Sequence, residues 1–385
     1  MMPEKSISSL TDSCDIAIVG AGLVGLAIGY GMLRRSRTVC FFDKEDTAQR
    51  ASRSNFGLIW VQNKGENLPR YAEWSRDSSR LMPALATALN AETGVDVHLE
   101  QPGGFYFCWS DEEMARRAES MLALQSAVLG DYPFSMLDHA DVRARLPEIG
   151  KEVVGACFTP MDGHVNPLKL LLALAEANHA RGATYRFGTN VTDIIPDPTG
   201  FLVSTATHRV HARKIVLAAG LGIRDLAPKL GLHAPLVPSR GQVLITERVK
   251  RFLSFPTNKL RQTNEGTVQI GDSVEDVGFN DSTSHDVMQF MARRAVRTFP
   301  ILRDARIVRA WGGLRVMTPD GFPIYEESAR YPGAFVVTCH SGVTLSAAHA
   351  FQIAPWIDGD ELPNGLSVLN SRRFQHEALG PMYVN

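Results

Sequence analysis

Four apolar residues, 16–19, stand directly before a cluster of glycines, and a helical apolar pattern over about 23–35 follows it. A second apolar run, 38–42, ends on Asp43 and Lys44. The order is strand, glycine turn, helix, strand, acid. Residues 69–92 predict one long helix. Residues 95–109 read as two strands around Pro102-Gly103, and 111–129 as a helix whose opening acids suit its positive N-terminal end. A short helix is predicted at 140–146. The helical period returns at Pro167, well placed for a first helical position, and Gly182 stops it. Strands are predicted at 185–187 and 190–195, a hairpin at 201–206 and 208–212, and a buried strand at 214–220. Residues 237–247 and 266–273 are strand-like, and 285–299 form an amphipathic helix. Residues 336–350 read as a strand, a small-residue turn at 340–343 and a helix.

The glycines of the first turn carry chemistry. Gly20, Gly22 and Gly25 stand at G-x-G-x-x-G spacing. Gly20 permits a tight exit from the strand, Gly22 lets backbone approach a pyrophosphate, and Gly25 lets the helix pack close to the strand. The helix N-terminus offers free N–H groups to phosphates. Asp43, with Lys44 beside it, is placed to meet a ribose diol. The alternative is a tight turn in an ordinary βαβ unit. Gly29 extends the pattern and tilts it toward an FAD-type site. The small and polar stretch 50–60 follows the acid-bearing strand. Ser52, Ser54, Asn55, Gly57 and Leu58 are therefore candidates to line the pyrophosphate or a redox ring; a plain polar loop is the other reading. Ala219 and Gly220 close a buried strand, either touching a dinucleotide or simply turning the chain. Gly313 and Arg315, in W-G-G-L-R, suggest backbone running close to a ligand; a surface or ion-paired arginine is the other reading of Arg315. Gly342, Val343 and Thr344 would aim a helix N-terminus at an anion, or form a second structural βα turn.

At 385 residues the chain is long for one simple core, so two lobes are expected. With 40 basic and 41 acidic residues the net charge is -1, which argues against nucleic acid or an anionic membrane as a partner through bulk charge. No apolar run is long enough to span a bilayer, and residues 1–12 lack the apolar core of a secretory signal. Five cysteines (Cys14, Cys40, Cys108, Cys157 and Cys339) are scattered, without a C-x-x-C. That pattern fits a reducing, cytoplasmic setting and speaks against a zinc or iron–sulfur site.

Seven motifs in order carry a resemblance: G-A-G-L-V-G-L with Asp43, S-R-S-N-F-G-L, G-H-V-N-P, V-L-A-A-G, S-R-G-Q, W-G-G-L-R-V-M-T-P-D-G and C-H-S-G-V-T-L. Together they resemble the D-amino-acid-oxidase-like flavoproteins, a family that includes glycine and sarcosine oxidases. C-H-S-G-V-T-L and R-Q-T-N-E-G resemble most the flavoprotein β subunits of opine and D-hydroxyproline dehydrogenases. The resemblance implies an α/β chain (α+β overall). Its Rossmann-type FAD-binding lobe would comprise 1–94, 155–230 and 310–385, with an antiparallel-sheet substrate lobe inserted as 95–154 and 231–309. It puts Arg315 on a substrate carboxylate, Val191 on the adenine through its backbone, and Gly342, Val343 and Thr344 at the flavin ring edge. No cysteine precedes the T-P-D motif, so the FAD is expected to be non-covalent. Cys339 replaces a usual glycine, and Thr344 and Leu345 stand where the sarcosine-oxidase subset has a lysine.

The implied reaction is oxidation of the C–N bond of an opine, D-hydroxyproline or another D- or N-substituted amino acid, by hydride transfer to flavin N5. Arg315 and His340 are the candidate catalytic groups, and Tyr106 and Tyr325 candidate hydroxyls for the carboxylate. The implied partners are an amino acid or opine substrate and other subunits of a dehydrogenase complex. A free-standing oxidase making hydrogen peroxide and an FAD-holding scaffold subunit are the alternatives. A nicotinamide enzyme is disfavoured, because FAD would fill the one dinucleotide motif.

Overall fold

The computed structural model describes residues 12–44 and 50–374. The stretch read as lacking a leader, and the far ends of the first and last expected FAD-lobe segments, lie outside them. The largest sheet has five parallel strands in the order Ala334–Thr338, Arg209–Leu217, Asp12–Val19, Val39–Phe42 and Thr184–Arg186. Ile324–Glu327 adds antiparallel at one edge. The hairpin Val191–Asp197 and Gly200–Thr205 pairs with the first half of Arg209–Leu217. The 16–19 run is apolar throughout because both faces of its strand are covered. Ile16 and Ile18 meet the helices Leu23–Arg34, Pro69–Thr93 and Pro167–Ala180. Ala17 and Val19 face the hairpin side with Phe201, Ile223 and Leu230.

The second half of the molecule is antiparallel. A four-stranded sheet runs Leu260–Gln262, Thr267–Ile270, Val237–Arg248, Ile307–Met317. A three-stranded sheet places Gly155–Thr159 between Gly104–Cys108 and Ser135–Asp138. Phe105, Phe107, Leu244, Val268 and Phe299 join these sheets and the helix His285–Thr298 in one core. The α/β class, with a Rossmann-type sheet and a separate antiparallel part, is as expected.

Several expectations are corrected. The boundary expected at 310 falls inside Ile307–Met317, which pairs along its length with Val237–Arg248. Arg315 therefore stands on the antiparallel sheet. Gly155–Thr159 likewise pairs with Gly104–Cys108 and not with the parallel sheet. Residues 95–109 hold one strand, Gly104–Cys108, since Glu100 makes only a single bridge to His164. The predicted strands 208–212 and 214–220 are one, Arg209–Leu217, because the same backbone pairs first with the hairpin and then with Ala334–Thr338. Among the described residues no helix is long and apolar enough to cross a membrane.

Candidate active site

The glycine turn is built by backbone-to-backbone contact. Gly20 has φ +110°, and a Cβ on it would stand 2.4 Å from the Ala218 carbonyl oxygen. A Cβ on Gly25 would stand 1.9 Å from the Gly20 oxygen. Both positions require glycine. The exit from Arg209–Leu217 thus lies against the turn, with Ala219 and Gly220 next along the chain. The Leu23 amide, at the start of the helix, donates to Ser52 Oγ at 3.0 Å, and a Cβ on Gly22 would crowd that same oxygen. Asp43 is buried at the end of the second strand. It accepts from the Ala21 amide at 2.6 Å and from the half-exposed Arg50. A ribose diol reaching Asp43 would meet Arg50 there. Lys44 points to solvent. The Thr189 amide donates to the Asp43 carbonyl, which brings the approach to Val191 beside the acid; Val191 itself begins the hairpin.

A cavity of about 1000 Å³ opens beyond this turn. Such a volume, at the upper end of ordinary ligand sites, suits a flavin ring with a small amino acid. One wall comes from the stretch after the acid-bearing strand. Ser54, Asn55 and Leu58 line it. Asn55 accepts from the Gly57 amide in an Asx turn, and Gly57 takes φ +88°. Arg261, buried and pulled down to about 9 by that burial, donates to the Phe56 carbonyl and reaches His164. A Cβ on Gly313 would stand 2.4 Å from Ser54 Cβ, so this glycine lets the two walls meet. Val343 and Thr344 line the adjoining wall. Thr344 Oγ1 accepts from the Trp60 amide at 3.0 Å, tying that turn to the strand Leu58–Ile59. Gly342 packs near Leu23 and Val24, against the start of the glycine-turn helix. The tight glycine turn, the buried acid and the cavity are together compatible in size and chemistry with FAD.

Arg315 stands on the opposite antiparallel sheet. Its Nη2 donates to Asp272 at 2.9 Å, while the buried Nη1 has no hydrogen-bond partner. Asp272 also takes Lys259 at 2.6 Å. Burial alone would raise the Asp272 carboxyl, but Lys259 and Arg315 hold it below its ordinary value. The Arg315 fork is oriented by one carboxylate and has a donor left over. His340 lines the same cavity. Burial, reinforced by the charges of Lys64 and Arg315, holds its imidazole well below the usual value and hence neutral. Cys339, beside it, is kept a thiol, pushed up to about 12 by burial. Tyr106 is on the cavity wall with the Arg117 guanidinium 4.6 Å over its ring.

Tyr325 is a correction. It is fully buried, away from the cavity, and its hydroxyl accepts from Trp74 Nε1 and meets His349 Nε2, each at 3.0 Å. A partnered core tyrosine has no hydroxyl to offer a substrate. Sequence reasoning missed Lys64, Asp272 and Arg261. None belongs to a local motif of known chemistry; Arg261 alone had a signal, as the first residue of R-Q-T-N-E-G.

Residues 15–356 match the family described as FAD dependent oxidoreductase, DAO. The chain is 44% identical over 361 residues to the B subunit of opine oxidase from Agrobacterium tumefaciens (strain Ach5), covering 94% of this chain and 97% of that protein. It is 42% identical to the corresponding opine oxidase chain of Rhizobium meliloti, with the same shares covered. Its fold superposes on the crystal structure of glycine oxidase from Geobacillus kaustophilus with a TM-score of 0.88 and 26% identity, over 97% of this chain and 100% of that one.

Proposed function

The chain belongs to the DAO family of FAD-dependent oxidoreductases, and from that premise we propose that it oxidises the C–N bond of an opine or related N-substituted amino acid as the catalytic subunit of a multi-subunit dehydrogenase. Bound FAD would supply a hydride acceptor for the substrate Cα–H. The protein's own task is alignment and charge. Gly20, Gly22, Gly25, Ser52 and Asp43 would hold the dinucleotide, and the walls from Ser54 to Leu58 and from Gly342 to Thr344 would flank the ring. With no cysteine before the T-P-D motif, the cofactor would be held without a covalent bond. Arg315 would bind the substrate carboxylate and so present Cα–H to the ring. The reaction needs the amine lone pair, hence an unprotonated nitrogen, and a neutral His340 adds no positive charge beside it.

The observation that carries this reading is the Arg315 fork on the cavity wall, one of whose nitrogens, the buried Nη1, has no hydrogen-bond partner. An FAD-holding scaffold has no use for such a group. Both opine oxidase relatives are named as one subunit of their enzyme, which supports partner chains as electron acceptors. The test is anaerobic bleaching of the visible flavin band by opines, D-hydroxyproline, D-proline, sarcosine and glycine. Bleaching by opines is expected. An Arg315→Lys variant should keep its flavin but need on the order of 100-fold more substrate, because a point charge replaces the two-point fork. Wild-type affinity in that variant would sink the carboxylate assignment. Admitting air separates the remaining reading, a free-standing oxidase, by rapid reoxidation with peroxide formation.

A further inference from the structure

The charged residues of the cavity are nearly all spoken for. Arg315 and Lys259 share Asp272, Glu275 pairs with Arg240, and Asp320 with Arg373. Glu66 accepts from Ser120, and Arg294 donates to the Gly271 and Asp272 carbonyls. Lys64 differs. It lines the cavity half-buried, and its ammonium makes no hydrogen bond or ion pair among the described residues.

The backbone that carries Lys64 is nevertheless held with care. The Lys64 amide donates to the Val61 carbonyl at 2.9 Å. The Val61 amide donates to buried Asp162 at 2.6 Å, and Gln62 Nε2 to the other Asp162 oxygen at 2.6 Å. Tyr132 donates to the Val61 carbonyl, and Arg117 to the Gln62 carbonyl. A solvated surface lysine needs no such frame. Burial pulls the ammonium down to about 8, with Cys339 and Asp162 opposing and the Arg315 charge adding to the fall. Lys64, on the turn from Val61, and Arg315, on Ile307–Met317, both line the cavity with His340, and both charges bear on that imidazole. A partly buried cation without a counter-charge is unfavourable, and an incoming anion relieves it.

We propose that Lys64 binds a second substrate carboxylate while Arg315 binds the first, so that the site selects secondary amines carrying a carboxylate on each side of the nitrogen. This rests on the reading of Arg315 as the first clamp. It narrows the substrate class to N-(carboxyalkyl) amino acids, because glycine, sarcosine and D-proline offer one carboxylate and would leave Lys64 uncompensated.

The test uses the FAD-loaded protein with its partner subunits and two non-oxidisable probes. One is a thioether dicarboxylate, with sulfur in place of the amine nitrogen. The other is the matching thioether with a single carboxylate. Each is titrated against the visible flavin band. Lys64→Met should weaken the dicarboxylate roughly 10- to 100-fold, the worth of one hydrogen bond to a charged group, and leave the monocarboxylate nearly unchanged. Lys64→Arg should restore most of the dicarboxylate affinity. Lys64→Gln gives the same reading should the Met variant lose its flavin. In wild type, dicarboxylate affinity should fall as pH rises through about 8, where Lys64 loses its proton; the Lys64→Arg protein should lack that limb. Unchanged dicarboxylate affinity in Lys64→Met, or equal weakening of both probes, overturns the proposal. If Arg315→Lys still weakens both probes in that case, the carboxylate clamp stands without Lys64. If wild type binds neither probe, the clamp itself fails and this inference with it.

Discussion

Replacing Gly241 with alanine tests the proposed carboxylate clamp without changing Arg315 itself. Gly241 lies on Val237–Arg248, opposite Gly313, and the Arg315 guanidinium lies across its backbone. A Cβ on Gly241 would stand 2.3 Å from Arg315 Nη2 and 2.5 Å from both Cζ and Nη1. Comfortable heavy-atom contact is about 3.5 Å, so the guanidinium must retreat by about 1 Å. The obstructing atoms are the far end of a flexible side chain, and the retreat costs the fold little. Alanine also suits a strand better than glycine by roughly 0.5–1 kcal/mol. The site fares differently. Movement breaks the 2.9 Å contact with Asp272 and carries the fork away from its proposed carboxylate position. A 1 Å misplacement of a positioning group costs on the order of 100-fold in rate, about 2.7 kcal/mol at 1.36 kcal/mol per tenfold. The assay is initial rates with an opine and an artificial electron acceptor, with flavin per chain and the melting temperature measured alongside. The expected result is kcat/KM down about 100-fold with flavin content and melting temperature kept. A Gly241→Ala protein within about threefold of wild-type kcat/KM would refute the reasoning, since the position of the guanidinium would then not matter.

Two further outcomes follow from other contacts. Gly25→Ala forces a Cβ to 1.9 Å from the Gly20 carbonyl, backbone against the helix with no side chain to swing away; the variant should lose most bound FAD and about 1–3 kcal/mol of stability, read from the flavin-to-protein absorbance ratio and a melt, and full yellow colour at wild-type stability would contradict it. Asp162→Asn should cost about 1–3 kcal/mol near pH 5, because an amide nitrogen would face Gln62 Nε2, donor against donor. Burial pushes the Asp162 carboxyl up to about 7, so the folded chain binds this proton more tightly than the unfolded one. The stability it contributes is present below the free carboxyl value and is lost as pH rises through about 7. The deficit of the variant in urea unfolding should therefore shrink between pH 5 and pH 8, and a deficit that grows would reverse the assignment.

The parallel sheet was readable because its determinants are local. Gly20 and Gly25 contact each other within one turn, and a strand buried on both faces shows as an unbroken apolar run. The helices Pro69–Thr93, Pro167–Ala180 and His285–Thr298 were legible for the same reason, their period and stops lying within a few residues. Which sheet the strands at 155 and 310 would join had no such signal. Gly155–Thr159 and Ile307–Met317 are short-period apolar strands like any other, and only their pairing partners decide which sheet they join. Tyr325 misled for a related reason. Its sequence neighbours cannot reveal that Trp74 and His349 close over its hydroxyl.

Glycine serves two purposes in this chain, and they differ in how far sequence can carry a reader. In the first turn, Gly20 and Gly25 make room for backbone within a few residues, or for the next strand at Ala218, so spacing alone reveals the turn. On the antiparallel sheet, Gly241 makes room for Arg315, and Gly313 for Ser54, each across a long sequence separation. Such glycines obey no spacing rule, because the atoms they admit come from elements that only folding brings together. Lys64 is the extreme case. Its placement depends on Asp162, Arg117 and Tyr132 holding a four-residue turn, and on no residue beside it. The part of the cavity that would choose a substrate is thus the part assembled from distant pieces. On the proposed reading, substitutions at Lys64, Asp272 or Gly241 would alter the choice of substrate without touching a contact of Gly20 or Gly25.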